Sequence, residues 1–153
     1  MIEARPPRNG EQPFHIVIRA VPNTELLTRT ITFEGRDVDA LIVPADSQAT
    51  PLEVTFEQAA EMLAAFPRMY VEPDGSFVWV SLAEATEAWQ VDGNLYDRDG
   101  SLIAIDLKGT CHRTQLVTLF DVFRTGGREL MIEVVRDGVF VRERDFLESL
   151  SSK

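Results

Sequence analysis

The sequence predicts an α+β fold, a mainly antiparallel sheet built from hairpins with two principal helices packed on one face. Three observations lead there: segments that alternate apolar and polar residues, Asp-Gly pairs at 74–75, 99–100 and 137–138, and two stretches with apolar residues at helical spacing. Asp-Gly supplies the positive φ that tight hairpin turns require, and direct reversals of this kind oppose an alternating parallel sheet.

The first strand is expected over residues 14–21, where Phe14, Ile16, Ile18 and Ala20 alternate with His15, Val17 and Arg19. Pro22-Asn23 turns the chain, residues 29–34 alternate again with Ile31 and Phe33 on one face, and residues 34–37 separate them from a short apolar run at 40–43. Residues 44–51 read as a loop. A helix then starts at Thr55, because Thr55 and Gln58 form a capping-box pair and Phe56, Ala59, Ala60 and Leu63 make one buried stripe. Pro67 ends it, and a hairpin around Pro73-Asp74-Gly75 joins residues 68–72 to 76–81.

Ser81 is read as the cap of a short helix over 82–88, followed by strands at 91–96 and 101–107 around Asp99-Gly100. Gly109-Thr110 is expected to open the second principal helix, whose buried stripe is Leu116, Leu119, Phe120 and Phe123 and which Gly126-Gly127 stops. A last hairpin around Asp137-Gly138 and a short helix near 145–150 complete the chain. Strand-strand-helix-strand-strand thus occurs twice, with Phe56, Ala60 and Leu63 matching Leu116, Phe120 and Phe123. A degenerate duplication into pseudo-repeats 14–82 and 83–150 is one reading, and a recurrent helix-plus-hairpin unit is the other. Residues 1–13, with prolines, a glycine and mixed charges, are expected to be a flexible segment ahead of a single globular domain at 14–150.

At 153 residues, 44% apolar and 26% charged, the chain is large enough to bury a core without disulfide staples. Its single Cys111 cannot pair within the chain, and no apolar run approaches the length of a membrane span or a secretion signal. A soluble, cytoplasmic protein is expected. The net charge of −10 is unevenly placed: from Asp37 to Asp97 twelve Asp and Glu face Arg68 alone, while the remainder is close to neutral. Such a field repels phosphate backbones and anionic lipid and attracts basic surfaces, so neither nucleic acid nor membrane is an expected partner.

Several residues are candidates for chemistry. Cys111 and His112, read at a helix start where amides lower a thiol pKa, are the candidate catalytic pair; the alternative is a semi-buried structural thiol beside a helix cap. Trp79 and Trp89 are candidate binding residues for an aromatic-lined groove, against packing in the sheet. Asp97 and Asp99 are the candidate metal ligands, but they fail the register of a calcium loop and read more simply as a solvated turn, so no metal is assigned. No glycine-rich phosphate loop, HExxH or GxSxG pattern occurs, and no cofactor is expected. These features point to a non-enzymatic acidic binding or adaptor protein that recruits a basic protein partner or self-associates. The alternative is a small enzyme or small-ligand-binding domain using the Cys111-His112 region.

Overall fold

The alternation in the first strand segment becomes β1 (Phe14–Ala20), with Ile16, Ile18 and Ala20 buried on one face. It is the middle strand of the sheet. In the computed structural model, which describes residues 13–150, the order is β2 (Leu27–Phe33), β3 (Arg36–Ile42), β9 (Val139–Arg142), β8 (Leu130–Val134), β1, β7 (Ser101–Thr110), β6 (Gln90–Arg98), β5 (Ser76–Val80) and β4 (Met69–Val71). Every neighbouring pair is antiparallel. The described residues therefore form an α+β structure of nine strands with three helices, α1 (Phe56–Ala64), α2 (Arg113–Phe123) and α3 (Glu143–Leu150). The flexible segment expected at 1–13 lies outside the described residues except for Pro13.

The β2-β3 and β4-β5 hairpins occupy the two edges, and the chain crosses the middle of the sheet through α1 and again through α2. One cluster joins Ile16, Ile18 and Leu107 of the sheet to Leu63 of α1, Leu116 and Phe120 of α2, and Phe146 of α3. Residues directly opposite in the ladders share a face, which places His15, Val17, Asp106, Lys108, Asp92 and Asp39 on the side away from Ile16 and Ile18. On that side a smaller cluster of Leu41, Val43 and Met131 is buried, beside the Arg19 guanidinium, which donates to the Gln48 carbonyl.

Local sequence signals explain most element ends. Thr55 accepts from the Gln58 backbone N–H at 3.1 Å while Gln58 Oε1 accepts from the Thr55 N–H at 3.0 Å, so the capping box expected at the start of α1 is present. Thr55→Ala is expected to cost about 1 kcal/mol, read as a lowered denaturant midpoint at unchanged slope. Asp74-Gly75 and Asp99-Gly100 turn their hairpins, with Gly75 at φ 96° and Gly100 at φ 89°. The first turn is tighter than expected: Glu34 and Gly35 alone reverse the chain at φ 50° and 81°, so Arg36 and Asp37 already belong to β3.

Three expectations are corrected. Residues 82–88 form turns and bends rather than a helix, and Ser81, assigned as its cap, closes the loop instead: its hydroxyl accepts from the Trp89 N–H, and its own N–H donates to the Trp89 carbonyl. Leu82 is exposed there, so no apolar face drives helix formation. Gly109 and Thr110 end β7 rather than opening α2, because they pair with Val91 and Gln90 of β6; the N-cap is His112. The pattern in the sequence alternates Leu102, Ala104 and Asp106 with Ile103, Ile105 and Leu107, and this alternation breaks in β7, because the register with β6 slips between Tyr96 and Asp97 and carries Leu102 into the core.

Candidate functional site

Acidic side chains dominate one end of the sheet. The β4-β5 turn, the start of α1 and the β6-β7 turn meet there: the Leu95 N–H donates to the Gly75 carbonyl at 2.9 Å and the Phe56 N–H to the Gly100 carbonyl at 3.0 Å. Close packing fixes the junction, since a Cβ on Gly75 would lie 2.8 Å from the Leu95 carbonyl oxygen and 2.9 Å from the Phe56 ring. Around it Glu57, Asp74, Asp97 and Asp99 project into solvent, with Arg98 the neighbouring cation. The Ser76 hydroxyl and backbone N–H both donate to Asp74, holding its carboxyl below the ordinary aspartate value.

The acidity of the middle segment is not neutralised by folding. Eleven of the twelve Asp and Glu between Asp37 and Asp97 are exposed, Glu87 being the half-buried one. Among the described residues none of those eleven forms an ion pair, whereas several arginines pair with acids outside the segment: Arg19 with Glu133, Arg36 with Glu148, Arg142 with Glu129. Hydroxyl and amide donors satisfy several of the acids without removing charge, as Thr30 does for Asp39 and Thr32 for Asp37.

The candidate catalytic residues are separated by their roles. Cys111 is buried in the short connection between β7 and α2, and desolvation pushes its thiol pKa up to about 12. His112 caps α2 through its backbone, whose N–H donates to Gln115 Oε1 at 2.9 Å, while its ring Nε2 lies 3.6 Å from Glu87. The other histidine, His15, has Nε2 at 3.0 and 3.1 Å from the two carboxylate oxygens of Asp106, on the sheet face opposite Ile16. Among the described residues neither imidazole is hydrogen-bonded to the Cys111 sulfur. A thiolate nucleophile needs a stabilising charge and an orienting base, and this geometry gives the sulfur burial instead.

Trp79 is buried, donates its indole N–H to the Pro67 carbonyl at 3.1 Å, and packs between Phe66 and an edge-on Trp89 at ring-centre distances of 5.2 and 5.0 Å. Asp97 accepts from the Gly100 N–H at 2.9 Å and serves the turn. Among the described residues no group of three or more His, Cys, Asp or Glu side chains is arranged to hold a metal ion. Sequence reasoning did not find the His15–Asp106 pair, because residues separated by 91 positions meet only through the β1–β7 register. No family model matches the chain, and neither a curated protein nor a solved structure shows significant similarity to it. No helix among the described residues is long and apolar enough to cross a membrane.

Proposed function

We propose that this chain is a non-enzymatic binding protein that recruits a basic protein partner through its acidic surface. The observation that carries the reading is the exposure of eleven acids without an ion pair among the described residues, in a segment where Arg68 is the one Lys or Arg. Uncompensated like charges repel one another, and an opposing cationic surface relieves that repulsion while speeding encounter. Concentration of Glu57, Asp74, Asp97 and Asp99 where three elements meet favours the end of the sheet as the docking region. Burial of Cys111 argues against the alternative of a thiol enzyme. The expected location is the cytoplasm, in keeping with one unpaired cysteine.

The same reading takes the molecule as two related modules. Within 14–82 the order β2-β3-α1-β4-β5, which the extra strand β1 precedes, matches β6-β7-α2-β8-β9 within 83–150, and the buried residues of both helices share one cluster, as expected for two helices on one sheet face.

The test compares capture of proteins from a lysate by the native chain and by a variant carrying Glu57→Gln, Asp97→Asn and Asp99→Asn. A basic protein retained at about 50 mM salt, released near 500 mM and lost with the variant is the expected result, because screening shortens the range of these charges to a few ångströms. Equal retention by the variant, or retention indifferent to salt, contradicts the reading. Duplex DNA in the same assay is expected to show no saturable binding at physiological salt.

A further inference from the structure

β2 and β4 end the sheet, and the two edges are built differently. β4 is three residues long and offers little backbone to a further strand. β2 runs for seven residues in unbroken register with β3, and it holds no proline, lysine or bulge, the devices that usually keep edge strands from pairing. Leu27 at its start is 75% exposed, beside the exposed Ile42 opposite it on β3.

The tight turn at Glu34-Gly35 fixes which backbone groups β2 leaves free. Phe33 and Arg36 flank that two-residue turn and form a hydrogen-bonded pair, so Ile31–Val38, Arg29–Ala40 and Leu27–Ile42 belong to the same class by alternation. Thr28, Thr30 and Thr32 therefore turn their N–H and C=O groups away from β3, toward the open edge.

That set is self-complementary. A second β2 running antiparallel, with a two-fold axis at Thr30, sets Thr30 against Thr30 and Thr28 against Thr32, and each pair can exchange two backbone hydrogen bonds. Leu27 then faces Phe33 and Arg29 faces Ile31, so no like charges are directly opposed. Moving the axis to Arg29 would set two guanidinium groups against each other, and moving it to Ile31 would leave Thr28 without a partner in β2. A basic segment of another protein suits this edge less well, because β2 carries Arg29 and no acid.

We propose that the protein forms a two-fold symmetric dimer in which the β2 strands of two copies pair antiparallel about Thr30 and join their sheets edge to edge. This contact does not use the acidic turns, and its failure leaves the basic-partner reading untouched. Salt also separates the two: chains of net charge −10 repel each other, so screening strengthens the dimer while it weakens capture of a basic partner.

The experiment is sedimentation of the full chain over roughly 1 μM to 1 mM, at low and at high salt. A concentration-dependent dimer that tightens with salt is expected. Thr30→Pro is expected to weaken it about tenfold or more, because the ring removes an outward N–H from the central pair while the β2–β3 ladder does not use that donor. Thr30→Cys gives a second readout that does not depend on the proline variant folding: the central pair brings the two introduced thiols within disulfide reach, so mild oxidation should cross-link it faster than Thr24→Cys, which lies outside β2. A monomer throughout the range, a dimer that salt dissociates or that a folded Thr30→Pro variant retains in full, or equal cross-linking at positions 30 and 24 would each overturn the proposal.

Discussion

Phe120→Ala is expected to destabilise the protein by about 3–5 kcal/mol, the cost of deleting a buried aromatic ring and leaving a partly collapsed cavity. Phe120 is fully buried on α2, and its ring lies 6.3 Å from that of Phe146, so its loss loosens α2, α3 and the sheet together. The denaturant midpoint should fall far below that of Glu57→Ala, whose side chain stands in solvent on α1. Equal midpoints for the two variants would mean that the helical stripe is not the core.

Gly109→Ala is expected to be comparably damaging for a different reason. Gly109 has φ 145°, a conformation that L residues rarely adopt, and a Cβ there would overlap the Gln90 carbonyl oxygen on the neighbouring strand. Backbone strain and overpacking each cost about 1–3 kcal/mol, and the obstacle is main chain that cannot swing aside. Gly100→Ala is the informative comparison: its φ is also positive, at 89°, but open space surrounds it. The expected result is a clearly larger loss of thermal stability for Gly109→Ala. Similar losses would assign the whole effect to φ and none to contact with β6.

What could be read in the sequence was whatever local chemistry decides. Thr55 and Gln58 announce the start of α1 within four residues, and the Asp-Gly pairs at 74–75, 99–100 and 137–138 announce reversals, so those assignments survive into the structure. Phe120 and Leu63 were legible because a helix repeats its buried face at fixed intervals. Non-local choices were hidden. Ser81 offers the same hydroxyl to a helix or to a loop closure, and only the arrival of Trp89 from across the loop decides between them. Gly109 reads as a helix boundary until β6 is laid beside it, after which its backbone is needed for close approach between strands.

The candidate sites divide along the same line. The acidity of the middle segment was plain from composition, but the exposure of its members and their lack of ion pairs among the described residues depend on where the arginines go. Cys111 looked like a helix-terminus thiol because the helix was expected to begin at Gly109. With β7 running to Thr110, the sulfur is instead carried into the core just ahead of the His112 cap. The cavity between the sheet and the helices α2 and α3 had no sequence signature, since its lining comes from β1, β2, β7, β8, α2 and α3 and is spread from Phe14 to Leu150.

The pH dependence of Cys111 alkylation tests most directly the claim that this is a binding protein and not a thiol enzyme. Burial raises the folded thiol from its ordinary value of 9.0 to about 12, so the neutral form stabilises the fold fully below about pH 9, and that contribution is lost as pH rises through 12. Labelling with iodoacetamide should accordingly be slow at neutral pH, accelerate only on the alkaline side, disappear in Cys111→Ser and be unchanged in His112→Ala. A fast-reacting thiolate that titrates below neutral pH, and whose titration moves upward in His112→Ala, would contradict the account and make Cys111 and His112 a catalytic pair.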